Sequence, residues 1–359
     1  MSTAARGGLG AHPALTTIGF DDLPGWADDD HRAALAAFRR GAGVLADHPP
    51  KQRALGVDPE ALRIALKAGV DAGNARAFFE RSFTPVLVEE PAHYTGYYEP
   101  EVAGSRMRAP GYTVPLHGVP DDLVEVTPGT VPGLDPEFRF ARMTSTCLDA
   151  YHDRGAIQTG ALDGRGLEIA WLADPVDAFF IHIQGAARLR LPDGGTMRVT
   201  YAAKSGHPYT PIGRVLIDRG ELPPGGATMQ TIRAWLQDNP HERDAVLAAN
   251  RSYIFFREAP VTAPELGPIA AAKLPLTAGR SLAVDRTLWS FHLPVWIETT
   301  LPDGAPLNRL MVAQDTGSAI VGAARGDVFF GSGDAAGEIA GRMNARGRFV
   351  VLVPKGVSA

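Results

Sequence analysis

Cysteine is almost absent: the 359 residues contain one, Cys147. That excludes an intrachain disulfide framework and a Cys-rich metal site. A lone cysteine most often serves as a small buried apolar residue, and no catalytic signature surrounds Cys147. Long apolar runs are absent as well. No stretch of 18 uncharged apolar residues occurs, so no membrane-spanning helix is expected. The opening "MSTAARGGLGAHPALTTIGF" has neither the apolar core of a secretory signal nor a lipidation cysteine, and residues 1 to about 15 read as a flexible leader. An excess of positive charge is also missing. Lys and Arg number 35 against 40 Asp and Glu, for a net charge of -5, and no basic run exceeds two residues. Nucleic acid and anionic membrane are therefore poor main partners. The ten histidines include no HExxH and no i, i+4 pair, which argues against zinc hydrolysis. The phosphate-loop pattern, a GxGxxG after a strand and the GxSxG nucleophile elbow are missing too.

Glycine and proline, by contrast, are plentiful at 40 and 29 residues. They are scattered rather than tandem, which fits a turn-rich, β-rich fold. The length allows a large core and suggests two domains. "DDDHRAALAAFRRGAGVLA" from Asp28, "DPEALRIALKAGV" from Asp58 and "NARAFFERSF" from Asn74 carry helix-start residues and helical apolar spacing, and predict three helices. From about residue 101, β-branched and aromatic runs alternate with Gly, Pro and Asp. "RLRLPDGGTMRVTY" is a hairpin signal around Pro192–Gly195. The stretch to about residue 225 reads as all β. Helix returns in "TMQTIRAWLQDNPHERDAVLAAN", followed by a strand at Tyr253–Phe256. Short strands then dominate from 275 to 354: "SLAVD", "PVWIETT", "LNRLMVAQD", "DVFFG" and "RFVVLVP". The helix "DAAGEIAGRMNARG" sits between the last two, with Asp334 as its expected N-cap and Gly347 as its stop. The simplest organisation is α+β. A main domain is formed by residues 1–100 and 226–359, and a β domain is inserted at 101–225.

The residues that could carry chemistry are carboxylates in aromatic and glycine-rich surroundings. Glu99 follows "HYTGYY". Asp285 ends "SLAVD", Asp315 ends "RLMVAQD", and Asp327 opens "DVFFG" after a Gly-rich turn. Each alone reads as a strand-end or turn residue. Three aspartates at strand ends in one segment also fit convergence at one site, because strands of a small barrel bring their ends together. Tyr94, Tyr97 and Tyr98 fit either core packing or stacking against sugar rings.

The segments "YTGYYEP", "GLEIAWLADPVDAFFIHIQGAARLRLPDG", "YAAKSGHPYTPIGRVLIDRG", "NRSYIFFRE", "PLTAGRSLAVD" and "AQDTGSAIVGAARGDVFFGSGD" resemble the MltA family of membrane-bound lytic murein transglycosylases. They stand in the family's order over roughly residues 75–355. The part at about 275–355 resembles its 3D domain, named for three aspartates that here correspond to Asp285, Asp315 and Asp327. The resemblance implies a mainly β fold with helices: a double-psi β-barrel main domain, a second small β-barrel inserted after "YTGYYEP", and a groove between them for a glycan strand. It implies cleavage of the β-1,4 bond between N-acetylmuramic acid and N-acetylglucosamine in peptidoglycan without water, leaving 1,6-anhydromuramic ends. Neither metal nor organic cofactor is implied. One carboxylate suffices, as acid toward the glycosidic oxygen and then as base toward the C6 hydroxyl. Ordinary glycosidases need a second. The family pattern assigns that role to Asp327, whose apolar neighbours would raise its pKa. Asp315 would then be a nearby anion or site organiser, and Asp285 a support. Thr95, Tyr97, Gln184 and Gly185 match motif positions expected to line the groove, with Asn250 and Ser252 beside them. Peptidoglycan strands are the implied partner, and enzymes of wall synthesis or division are further candidates. Family members are typically outer-membrane lipoproteins facing the periplasm, whereas this sequence shows no lipidation signal. Two alternatives stay open: a non-catalytic, expansin-like polysaccharide-binding module, and an inverting glycoside hydrolase using Asp327 and Asp315.

Overall fold

A computed structural model describes residues 13–136, 138–261 and 263–356. The leader expected at residues 1 to about 15 lies almost wholly outside them. The chain divides into two compact units. One comprises residues 1–96, 269–330 and 343–359, and the other 97–268 and 331–342.

The three N-terminal helices form where local signals place them. Asp30 caps His31–Arg39 by accepting from the Ala33 N–H, Asp58 caps Pro59–Val70 through the Glu60 N–H, and Asn74 caps Ala75–Ser82 through the Ala77 N–H. Each cap satisfies an N–H that the helix cannot. Phe38 of the first and Phe78 and Phe79 of the third cluster with Phe83, ring centroids 5.2 to 6.0 Å apart. These rings join the buried faces of an eight-stranded sheet in one core.

The order of that sheet is Leu15–Thr17, Phe83–Val88, Asn344–Pro354, Pro294–Thr300, Pro306–Asp315, Ser281–Val284, Arg325–Ser332, Ala92–Glu99. Asn344–Pro354 pairs a second time, with Ala92–Glu99. Ser281–Val284 runs parallel to Pro306–Asp315 and antiparallel to Arg325–Ser332. Gly347 does not stop a helix, contrary to expectation. It lies inside the strand Asn344–Pro354, where a Cβ would fall 1.9 Å from the Glu298 carbonyl oxygen, so only glycine fits.

The second unit holds a six-stranded sheet in the order Ile254–Ala259, Thr196–Lys204, Ala186–Arg190, Glu101–Ser105, Glu168–Leu172, Val114–His117, and a small sheet of Leu123–Glu125, Phe140–Met143 and Leu148–Asp149. The predicted hairpin is present. Ala186–Arg190 pairs antiparallel with Thr196–Lys204, and the Leu191 N–H closes the turn on the Gly195 carbonyl. The all-β reading of 101–225 is corrected, since helices occupy Arg154–Gln158, Pro175–Gln184 and Ile212–Asp218. In "DPVDAFFIHIQG" the aromatic run suggests a strand, yet the start and stop signals win. Asp174 caps the Val176 N–H, Pro175 takes the first position, and Gly185 ends the helix at φ 81°. Residues 226–268, expected with the chain ends, belong to this second unit, because Ile254–Ala259 pairs with Thr196–Lys204. The short helix is Asp334–Ala340, with Gly333 rather than Asp334 as N-cap and no side-chain cap bond.

Candidate active site

The strand Arg325–Ser332 emerges from the Gly-rich turn with Asp327 as its third residue. Asp327 is half-buried. Its Oδ1 accepts a hydrogen bond from the Thr95 hydroxyl at 2.5 Å, and the Thr95 oxygen accepts one from Arg325 Nη2 at 2.6 Å. Arg325 Nη1 donates to the carbonyls of His93, at 3.2 Å, and Gly326, so the guanidinium is held by backbone as well. Packing around the Asp327 carboxyl raises its pKa above the usual carboxylate value, against the opposing pull of the Arg325 charge and the Thr95 hydrogen bond. Burial lowers the pKa of Arg325, and the Asp327 charge works the other way.

Asp315 shares a register partner with Asp327. Ala283, in the strand Ser281–Val284, is the register partner of Asp327 on one side and of Asp315 on the other. Two strand spacings put their backbones about 10 Å apart. The sheet pairing is irregular between Leu282 and Ala283, beside Asp315. Asp315 accepts from the Ala271 N–H at 3.1 Å. Asp285 is buried just beyond Val284. Its Oδ1 accepts from the Thr287 N–H and hydroxyl at 2.9 and 2.6 Å, and its Oδ2 from the Gly322 N–H at 2.9 Å. Asp285 thus pins the Gly-rich turn that delivers Arg325 and Asp327. The Trp289 indole assists by donating to the Ala323 carbonyl at 2.8 Å.

Tyr97, Gln184, Gly185, Asn250 and Ser252 fall in the second unit. Gln184 Oε1 accepts from the Tyr98 N–H at 3.1 Å and so fixes the backbone beside Tyr97. Gly185 ends its helix and accepts at its carbonyl from the Tyr201 N–H. Asn250 is buried, and its side-chain oxygen is occupied by the N–H groups of Thr210 and Ser252. The Asn250 and Ser252 carbonyls accept from Arg154, which makes this pair a loop-holding device. Of the expected lining residues, Thr95 reaches Asp327 directly through its hydroxyl. Glu99 is fully buried against Arg188 and Arg198, which sequence context did not foretell. Arg325 went unnoticed for a similar reason: "AARG" gives no sign that a guanidinium folds back on Thr95. No group of three or more metal-ligating side chains occurs among the described residues.

A carboxyl whose pKa is raised by burial and that is tied to a hydroxyl is a candidate acid–base group. Residues 93–257 match the MltA specific insert domain, and residues 280–353 match the 3D domain. The membrane-bound lytic murein transglycosylase A of Escherichia coli K12 is 31% identical over 297 residues, which is 80% of this chain and 73% of that protein. A crystal structure of a membrane-bound lytic murein transglycosylase from Agrobacterium tumefaciens superposes with a TM-score of 0.88 at 45% identity, covering 95% of this chain and 98% of that one. MltA from Neisseria gonorrhoeae gives 0.79 at 34% identity, covering 96% and 93%. Escherichia coli MltA with bound chitohexaose, at 23% identity, shares the fold, with a TM-score of 0.69 over 95% of each chain. The chain belongs to the MltA family of lytic murein transglycosylases, and it is an enzyme of that type. The relatives are described as membrane-bound, and no helix among the described residues is long and apolar enough to cross a membrane.

Proposed function

We propose that this chain cleaves the β-1,4 bond between N-acetylmuramic acid and N-acetylglucosamine in peptidoglycan without water, with Asp327 as the single acid and base. The protonated Asp327 gives its proton to the glycosidic oxygen as the C1–O bond breaks. The C6 hydroxyl of the same muramic residue attacks C1, and its proton passes to the Asp327 carboxylate. A 1,6-anhydro bond forms, the enzyme regains its proton, and no water is consumed. The substrate holds its own nucleophile, so proximity replaces the second carboxylate of ordinary glycosidases. The observation that carries the reading is the raised pKa of Asp327 in its fixed contact with Thr95. A group that acts first as acid and then as base works best with a pKa near the operating pH. Asp315 and Asp285 then hold the loops around it.

The binding of chitohexaose by the E. coli protein of the same fold supports a glycan chain as ligand. In our reading Tyr97, Gln184 and Gly185 contribute to its binding. The circuit of six strands from Asn344–Pro354 through Ala92–Glu99 and back supports a double-psi barrel as the frame. The six-stranded sheet of the second unit is the inserted small barrel, extending to residue 268 rather than 225. In our reading the protein works at the periplasmic face of the outer membrane; the membrane-bound relatives support a membrane location.

Digestion of murein sacculi followed by mass analysis is the test. Anhydromuropeptides are expected, and Asp327→Asn should lose them with its thermal melt unchanged. Reducing ends in their place would establish an inverting hydrolase. Binding to sacculi without soluble product would establish an expansin-like binding module.

A further inference from the structure

The acid–base reading leaves Arg325 without a role, although it sits two residues from Asp327 and holds its hydrogen-bond partner. A guanidinium has only donors, so the Arg325 Nη2–H must occupy a lone pair of the Thr95 oxygen. Thr95 has a single hydroxyl proton, and that proton is therefore committed to Asp327 Oδ1. Oδ1 is an acceptor whether Asp327 is ionised or neutral, which leaves Oδ2 to carry the catalytic proton. The bonds of 2.6 and 2.5 Å, laid end to end, keep Nη2 within about 5 Å of Oδ1.

We propose that Arg325 is a positioning residue that acts through Thr95, confining the working proton to Oδ2 of Asp327 and setting a fixed positive charge against its carboxylate. The proposal rests on Asp327 being the acid and base. Burial pushes the Asp327 carboxyl up and would by itself leave a weak acid toward the glycosidic oxygen. An arginine at this range lowers a carboxyl by roughly one to three pH units, which offsets part of that rise. The facing groups are few. Arg325 comes from the strand of Asp327 itself, Thr95 from the strand on one side and uncharged Ala283 from the strand on the other. Asp315 stands beyond Ala283, bonded to the Ala271 N–H. His93 turns to Asn344, its Nε2 lying 2.8 Å from the Asn344 side-chain oxygen.

The test is the pH dependence of anhydromuropeptide release by Arg325→Met and Arg325→Lys. Activity needs protonated Asp327, so it falls as pH rises through the carboxyl's pKa. Removing the positive charge should move that alkaline limb upward by about one pH unit or more, and Arg325→Lys should leave it within about half a unit of the parent. A merely structural arginine would lower the whole profile without moving it. Carboxyl 13C NMR gives a second readout through the resonance that vanishes in Asp327→Asn, and its midpoint should rise by the same amount in Arg325→Met. A limb and a midpoint that stay in place, or that move down, overturn the proposal. Activity retained by Asp327→Asn would instead remove the acid–base reading, while the carboxyl midpoint would still decide the coupling to Arg325. If Arg325→Met fails to fold by circular dichroism, Arg325→Gln removes the same charge while keeping an amide donor for Thr95, and it should raise the midpoint likewise.

Discussion

Replacing Glu99 by glutamine should destabilise the second unit more than any surface change. Glu99 is fully buried and accepts four hydrogen bonds: from Arg188 Nε at 2.8 Å, Arg198 Nε at 2.7 Å, Arg198 Nη2 at 3.1 Å and the Ser332 hydroxyl at 2.8 Å. Both arginines also donate to the Leu266 carbonyl at 2.9 Å, and Arg188 reaches Glu101 at 3.3 Å. Two carboxylates therefore balance two guanidinium groups. Glutamine keeps the shape but leaves one buried positive charge uncompensated. Breaking a buried pair in this way costs about 3–5 kcal/mol. For a unit of roughly 150–250 residues each kcal/mol lowers Tm by about 2–4 °C, so a drop of about 6–20 °C is expected. Thermal and urea melts followed by circular dichroism measure it. The double variant Glu99→Gln/Arg198→Gln removes one charge of each sign and should recover at least about 1 kcal/mol relative to the sum of its single variants. A loss below about 1 kcal/mol for Glu99→Gln, or strict additivity in the cycle, would refute the argument that charge balance holds this cluster together.

Two further outcomes test the frame of the first unit. In Gly326→Ala the new methyl would lie 2.7 Å from the buried Tyr94 ring, whose hydroxyl is tied to the Arg348 carbonyl at 2.8 Å. Stability should fall by about 1–3 kcal/mol, and murein cleavage should fall too, because the strain sits next to Asp327; unchanged melts and activity would contradict it. Burial of His292 lowers its pKa to about 4. Since the folded pKa lies below the unfolded value near 6.5, its contribution is complete above about pH 6.5 and is lost as pH falls toward 4, a change of about 3 kcal/mol. The backbone there, at φ 73°, suits asparagine. The stability gap between His292→Asn and the parent should shrink by about 3 kcal/mol from pH 7 to pH 4, and a constant gap in urea melts at the two pH values would contradict the linkage.

What could be read from the sequence follows from how local the causes are. Asp30, Asp58 and Asn74 announce their helices because a cap needs only the next few residues. The hairpin at Pro192–Gly195 is local in the same way. "DAFFIHIQ" misleads because its helix is buried on several sides, so its apolar residues lose the helical period and imitate a strand. Gly347 misleads because its reason for being glycine, the Glu298 carbonyl, lies far away in the chain. The three aspartates could be picked out by motif. The placing of Asp315 and Asp327 on either side of Ala283 depends on strand pairings that span from Leu282 to Val328 and Ala313, which no local pattern encodes. The Arg325–Thr95 contact spans 230 residues and was equally hidden.

What the carboxylate oxygens hold separates the aspartates that sequence context left nearly equal. Both oxygens of Asp285 accept from neutral donors, at Thr287 and Gly322. Both of its oxygens are thus spent on fastening a turn. Asp315 is likewise engaged with the Ala271 N–H, at the end of its strand. Asp327 has its Oδ1 committed to Thr95, while its Oδ2 accepts no hydrogen bond among the described residues. Its surroundings favour the neutral acid, whereas the nearest cation favours the anion. A group that must give up a proton and take one back in a single turnover requires that balance, together with an oxygen left for the substrate. Asp327 offers both, which is why we propose it as the acid and base.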